Sequence, residues 1–477
     1  MTVTASKPRK LQGYEFYREI LGSPKYVVAP MVDQSELAWR RLSRRYGAQL
    51  VYTPMINAKM FGEGARTNYR EQSFNTAHGE EGGLEDRPLI VQFCANSPEH
   101  LLTSAKVLEA HCDAIDLNLG CPQDIAKKGH YGSFLQDEWE LIYKLVNTLH
   151  ENLFIPVTAK FRVFPTVEKT VEYAKMLERA GAQILTCHGR LREQRGHHSG
   201  LADWDKIRAV KQAVSVPVFA NGNILYHSDI ERCLAETGAD AVMSAEGQLY
   251  NAALFAKADH IPPTVSSHPP VLDPADPSSP SAGPSTQIER PSPSPEHIYD
   301  AGLHPRHADL ALEYLTIVKS QKTRTAFSAI KGHLFKIMRP ALARETDLRD
   351  RLGRMKGHDL PLYIEIAEEM KRRMDRDAEE AERAGKTAKD LVRIDEATGL
   401  KVLPHWLAQP YFRPLPAKKP QEEEEKVFSA APAAVEAEDD TSSSKRPLSE
   451  WTPEVEDESK RLKLDLDPCD PEVAICV

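Results

Sequence analysis

Residues 156–189 read PVTAKFRVFPTVEKTVEYAKMLERAGAQILTCHG, and their pattern decides the fold. An apolar run (156–163) is followed by a helical, amphipathic stretch. Gly181 closes that stretch in the manner of a helix C-terminus, and a second apolar run follows at 183–189. Both runs are nearly continuous in Val, Ala, Phe, Ile and Leu, as expected of parallel strands buried on both faces. The unit repeats outward. Further strands are expected at 26–31, 49–55, 88–94, 114–121, 217–223 and 241–247, with helical segments between them. Ser97-Pro98 supplies an N-cap and a first-turn proline, and Gly47 and Gly238 supply further stops. Eight strand–helix units in about 230 residues match a (β/α)8 TIM barrel, an α/β fold. An open doubly wound sheet would carry a glycine-rich fingerprint after its first strand, and Met31-Val-Asp-Gln is not one.

The expected domains are an N-terminal extension (1–25), the catalytic barrel (26–258), a linker (259–300), a small all-α basic domain (301–376) and a charged tail (377–477). Residues 261–300 hold 11 of the chain's 34 prolines, a composition that cannot build a core and reads as disordered. Helical periodicity returns at 308–320, 327–338, 345–355 and 360–376. The net charge of -9 divides unevenly: the tail holds 14 Lys/Arg and 24 Asp/Glu, or -10, leaving +1 for everything before it. Residues 301–376 sum to +6, from 16 basic and 10 acidic residues. The acidic total therefore describes a tail and does not argue against a nucleic-acid partner for the body. The seven cysteines show no CxxC spacing, which argues against a disulfide framework or zinc site and points to a reducing compartment. No run of eighteen apolar residues exists, so no membrane span is expected, and the N-terminus lacks a secretory stretch; no metal site is expected either. Lys445-Arg446 and Lys460 to Lys463 are spaced like a bipartite nuclear import signal, giving an expected location in nucleus, cytoplasm or both.

A (β/α)8 barrel builds its active site from the C-terminal ends of its strands. Those ends here read Ala29-Pro30-Met31, Met55-Ile56-Asn57, Gln92, Asn118-Leu119-Gly120-Cys121-Pro122, Lys160-Phe161-Arg162, His188-Gly189-Arg190, Asn221-Gly222-Asn223 and Ala245-Glu246-Gly247. Structure alone would be content with aliphatics at these places; polar residues at seven of them make a site. The last two loops suit an anion, because glycine lets backbone N–H groups approach it closely; two ordinary loops are the alternative. Lys160 rises from an apolar strand and calls for an anionic partner, whether a bound group or a core carboxylate. Cys121, on a turn bounded by Gly120 and Pro122, reads either as a small core residue or as an exposed, oriented thiol able to give a proton.

Together Ala29-Pro30-Met31, Asp116 to Pro122, Lys160-Phe161-Arg162, Cys187-His188-Gly189-Arg190 and Ala220 to Asn223 closely resemble the tRNA dihydrouridine synthases. The likeness is strong over 26–258 and looser over 308–376. Arg192 to Gly196, Ala202-Asp203-Trp204, Met243 to Gly247 and Lys331 to Lys336 are most similar to the eukaryotic branch acting at positions 16 and 17 of the D-loop. The resemblance implies FMN held by Ala29, Pro30, Met31, Gln92, Lys160, His188, Asn221, Gly222, Asn223, Ala245 and Glu246, NADPH or NADH as reductant, and Cys121 as proton donor. Many relatives carry Gly-Arg where this chain has Ala245-Glu246, so contact there is expected from backbone N–H groups. Asn118, Arg162 and His188 are candidates for the uracil edge. Candidates for tRNA are Arg190, Arg192 and Arg195 near the mouth, and Arg324, Lys331, Lys336, Arg339, Arg372 and Arg373 in the helical domain. A monomer is expected, and a barrel ending near residue 260 is expected to keep FMN. Two other readings stand beside this one: an FMN barrel acting on a free pyrimidine, which would not need a basic helical domain, and an RNA-binding protein on an inactive barrel.

Overall fold

The computed structural model describes residues 9–63, 67–257, 303–357, 359–396 and 398–411. The expected linker, the tail beyond 411 and both basic clusters at 445–446 and 460–463 lie outside the described residues.

Nine strands share one sheet, all of its pairings parallel: β1 (Tyr26–Val28), β2 (Leu50–Tyr52), β3 (Ile56–Asn57), β4 (Leu89–Cys94), β5 (Ala114–Leu119), β6 (Val157–Arg162), β7 (Ala182–His188), β8 (Val218–Asn221) and β9 (Ala241–Ser244). β1 pairs with both β2 and β9, and β2 pairs with β4, so eight strands close a barrel with β3 appended to the end of β4. Strands β4 to β9 are buried along their whole length, which is why they read as largely apolar runs. The one run that divides is the second. Pro54 has no N–H to give to the ladder. The chain leaves the ladder after Thr53, whose N–H still bonds Ile90 at 3.0 Å, and returns as β3 with Ile56 opposite Phe93.

Helices follow the strands as the stop and start signals imply. Ser97 caps its helix by accepting the N–H of His100, with Pro98 in the first turn. Gly181 sits at φ +110°, where a Cβ would lie 2.3 Å from the His150 ring. Among the described residues no helix is long and apolar enough to cross a membrane.

Helices His307–Ser320, Phe327–Ile337, Thr346–Arg354 and Leu360–Arg383 pack on one another and on barrel helix Leu37–Arg45. The seam is aromatic and polar. Trp39 stacks on His333 with centroids 4.1 Å apart, and Glu36 accepts from Tyr314 Oη (2.8 Å) and pairs with His333 Nε2 (3.0 Å). Glu313 accepts from Tyr46 Oη (2.8 Å) and pairs with Arg45 (2.9 Å). The chain after the long helix returns to this body. Leu403, Leu407 and Ala408 are buried, Ala408 N–H bonds Pro305 (2.8 Å), and His307 N–H bonds Trp406 (3.1 Å).

Candidate active site

The loops after β5 to β9 enclose a cavity of about 1290 Å³ at the C-terminal end of the barrel. Of the expected site residues it brings together Arg162, His188, Arg190, Arg195, Asn221, Gly222, Asn223, Ala245 and Glu246. Its outer wall comes from Trp204 and from Leu400 and Tyr411 of the returning segment.

The loop after β8 has its shape because each of its residues is tied down. Gly222 holds φ +114°, and a Cβ there would come within 2.6 Å of Ala202 Cβ. Its carbonyl accepts Trp204 Nε1 at 3.1 Å. Asn223, at φ +64°, exchanges hydrogen bonds with Ala202 (2.9 and 3.0 Å) and accepts Arg190 Nη2 at 3.1 Å. Asn221 Nδ2 donates to Met243 (3.0 Å), and its Oδ1 is buried without a hydrogen-bond partner among the described residues. Arg190 Nη1 lies 3.0 Å from His188 Nε2, so that ring nitrogen accepts and the opposite nitrogen carries the proton. The result is a pocket end that brings the Arg190 guanidinium together with Asn221 and its buried oxygen.

Beneath it lies a second polar layer on the strands themselves. Asn118 Nδ2 donates to Gln92 Oε1 (2.8 Å), Gln92 Nε2 donates to Asp116 (2.8 Å), and Thr158 Oγ1 donates to the other Asp116 oxygen (2.6 Å). Burial pushes the Asp116 carboxyl up to about 6, against the Thr158 and Gln92 hydrogen bonds and the charge of Lys160. Lys160, buried on β6 opposite Asn118, therefore has a core carboxylate in its field. Ala29 and Met31 are buried at the end of β1, where Ala29 N–H bonds Ser244 (3.0 Å) and Met31 N–H bonds Ser35 Oγ (3.0 Å). Pro30, between them, is buried too.

Cys121 corrects the expectation of an exposed thiol. It is 1% exposed and packs with Cys94, Ala126 and Tyr131, with Val32, Met55 and Phe134 around them. The turn sets this direction: Asn118 Oδ1 accepts the N–H groups of Gly120 (3.2 Å) and Cys121 (2.9 Å), while Ser133 N–H and Oγ both bond the Cys121 carbonyl. The next residue, Pro122, does line the cavity. Arg162 is a clamp on this turn. Its Nε donates to Gly120 (2.8 Å), and its Nη1 donates to Leu191 and Gln194 (3.0 Å each).

The cations expected to face RNA mostly have protein partners. Arg192 pairs with Asp137 (3.2 Å) and Glu193, and Arg195 with Asp124 (2.9 Å) and the Pro122 carbonyl. Lys331 caps helix Thr346–Arg354 through the Gly353 and Met355 carbonyls. Lys336 donates to Gln34 (3.1 Å), Arg339 lies 3.8 Å over the Tyr411 ring, Arg372 pairs with Glu369, and Arg373 is held by Glu345, Asp347 and Glu369. Arg324 is exposed. The reason is general: scattered acidic neighbours find these long side chains, which charge counting along the chain does not show. Trp204, Leu400 and Tyr411 were missed as cavity residues. Ala202-Asp203-Trp204 carried the only hint.

Residues 27–276 match the profile of the dihydrouridine synthase (Dus) family. The chain belongs to the dihydrouridine synthase family. It is an enzyme of that family, and its likeness to other members extends beyond the barrel. It is 45% identical over 415 residues to the Saccharomyces cerevisiae tRNA-dihydrouridine(16/17) synthase (NAD(P)(+)), covering 85% of this chain and 88% of that protein. It is 43% identical to a mouse protein named as like the same enzyme, over 87% of this chain and 73% of that one. A human protein named as like tRNA-dihydrouridine(20a/20b) synthase is 36% identical over 55% of this chain and 80% of its own length.

Proposed function

We propose that this dihydrouridine synthase binds FMN in the barrel cavity and reduces the C5–C6 double bond of uridines 16 and 17 in the D-loop of tRNA, with NADPH or NADH as reductant. The observation that carries the reading is the cavity itself. Its β8 and β9 loops, with His188 and Arg190, offer an anion site within reach of the turn that bears Cys121. A volume of about 1290 Å³ exceeds the ~300–1,000 Å³ of ordinary cofactor sites, leaving room for a base beside the cofactor. The Gly222 cradle leaves room for a phosphate against the backbone, and the buried Asn221 Oδ1 fits a hydrogen-bond donor of the bound group. The relatives support positions 16 and 17: those named for them match most of the chain, and the 20a/20b relative matches little more than half.

FMN, when bound, supplies the hydride that reaches C6 of the uracil. The chain's own residues do the rest. Ala29 to Met31, Gln92, Lys160, His188 and the loops Asn221–Asn223 and Ala245-Glu246 would hold the cofactor, and the Lys160 charge would favour its anionic reduced form. Asn118, Arg162 and His188 orient the base. Negative charge develops toward C5 as hydride arrives, and a thiol, protonated at neutral pH, gives a proton there. For Cys121 to do so, its sulfur must turn from the Tyr131 cluster toward the cavity, where Pro122 already lies.

A D-loop base leaves its stack at modest cost to reach such a pocket. Residues 301–376 bind the tRNA body as a monomer's basic domain, and the clusters at 445–446 and 460–463 direct nuclear import. A fluorescent fusion lacking 427–477 that still enters the nucleus would remove the import assignment.

The test is purified full chain with FMN, NADPH and unmodified tRNA transcript. Dihydrouridine at 16 and 17 is expected, with free uridine unreacted. Turnover of a free pyrimidine but not of tRNA would replace this reading with the small-molecule one.

A further inference from the structure

Asp116 lies two residues before Asn118 on β5, in register with Gln92 of β4 on one side and Thr158 of β6 on the other. The next polar row toward the mouth sets Asn118 opposite Lys160. Residues two apart on a strand point to the same face, so these side chains stack inside the barrel, where Gln92, Asp116 and Asn118 are all buried. Aliphatic layers would fill that interior, and a buried carboxylate is costly unless it is hydrogen-bonded.

Its chemistry explains its place. An ionised carboxylate only accepts, whereas an amide both donates and accepts and can be turned either way round. Asp116 Oδ1 accepts the Thr158 hydroxyl (2.6 Å), and its Oδ2 accepts Gln92 Nε2 (2.8 Å). Gln92 must then face Asn118 with its oxygen, which accepts Asn118 Nδ2 at 2.8 Å. Asn118 in turn faces the loop with Oδ1, which accepts the N–H groups of Gly120 (3.2 Å) and Cys121 (2.9 Å). Turning either amide round sets donor against donor, and at the loop it strands two backbone N–H groups. The carboxylate thus fixes the sense of every hydrogen bond as far as the Cys121 turn.

We propose that Asp116 is a positioning residue for the reaction: as the acceptor-only end of the chain Asp116–Gln92–Asn118, it holds the Gly120–Cys121 turn and fixes the donor and acceptor ends of both amides. Its bearing on catalysis rests on the function proposed above; its hold on the turn does not.

The test is run at pH 8, where the Asp116 carboxyl, pushed up to about 6, is ionised. Hydrogen exchange at the Gly120 and Cys121 amides is followed by mass spectrometry on flavin-free full chain, beside single-turnover oxidation of the reduced, FMN-loaded chain by tRNA. Asp116→Asn keeps the shape but can offer Gln92 either an oxygen or an amide. The turn amides should exchange about tenfold faster or more, and oxidation by tRNA should slow more than reduction by NADPH does. Thr158→Val removes the other donor to Asp116 without touching the amides, and should leave turn exchange within about twofold of the parent chain. Exchanging the two side chains, Asp116→Asn with Asn118→Asp, puts the acceptor-only group beside the turn and opposite Lys160. Turn exchange should then return to within about threefold of the parent chain, while tRNA turnover stays low because the Asn118 N–H is gone. The exchanged chain decides the matter even where Asp116→Asn alone fails to fold. No recovery there overturns the proposal, as does equal loosening in Thr158→Val. Altered flavin affinity in Asp116→Asn with turn exchange unchanged overturns it too, and leaves Asp116 as the counter-charge of Lys160. A parent chain that takes up no flavin while the turn responds as expected overturns the catalytic half and supports the hold on the turn.

Discussion

Replacing Arg162 with methionine removes a guanidinium that joins two loops while keeping most of the stem's packing. Arg162 is 3% exposed and donates to three carbonyls: Gly120 on the Cys121 turn, and Leu191 and Gln194 on the loop that carries Arg192 and Arg195. Hydrogen bonds from a charged donor contribute roughly 1.5–3 kcal/mol each, and the cost of burying the charge offsets part of the sum. Arg162 and Gln194 line a cavity that water can enter, which places the loss at the low end, about 3 kcal/mol. Urea unfolding followed by tryptophan fluorescence reads that number directly. Arg162→Lys keeps the charge but reaches fewer carbonyls and should fall between the two. The turn and the 191–194 loop should also loosen together, so kcat with tRNA should fall more than FMN affinity does. A methionine variant within about 0.5 kcal/mol of the parent would refute the clamp and leave Arg162 with a substrate contact alone.

Burial raises the Asp116 carboxyl to about 6 from 3.8, so Asp116 favours the fold below its unfolded value and loses that contribution as pH rises through about 6. Compared with Asp116→Asn, the parent chain should therefore lose about 3 kcal/mol of stability between about pH 4 and pH 6; parallel profiles by denaturant titration would contradict this. Arg324→Ala should lower tRNA affinity and reduce its salt dependence, because an exposed cation near a polyanion acts by releasing counterions. Lys331→Met should instead cost about 1–2 kcal/mol of stability with little change in tRNA affinity, since its ammonium serves the Gly353 and Met355 carbonyls.

The barrel was legible because parallel strands buried on both faces are mostly apolar, and β4 to β9 are, despite the few polar residues such as Gln92, Asp116, Asn118 and Lys160 that they carry. The strand ends were legible as a site because Gly222, Asn223 and Arg190 have no reason to cluster at a barrel mouth otherwise. The direction of the Cys121 sulfur was not, since it depends on Tyr131 and Ala126, whose positions are set by the turn that Asn118 and Ser133 close. The cavity wall at Leu400 and Tyr411 was equally hidden. That segment has no periodicity of its own, and its place depends on pairing with Pro305 and His307 about a hundred residues earlier. Charge totals marked the helical part as basic but could not show that Arg373 spends its guanidinium on Glu345, Asp347 and Glu369.

Position-resolved measurement of dihydrouridine in tRNA from cells lacking this chain tests the central claim most directly. Dihydrouridine at positions 16 and 17 should vanish, return on expression of the parent chain, and stay absent with Cys121→Ala. Dihydrouridine at 16 and 17 that persists without the chain would contradict the assigned reaction, and its full return with Cys121→Ala would return that cysteine to the core.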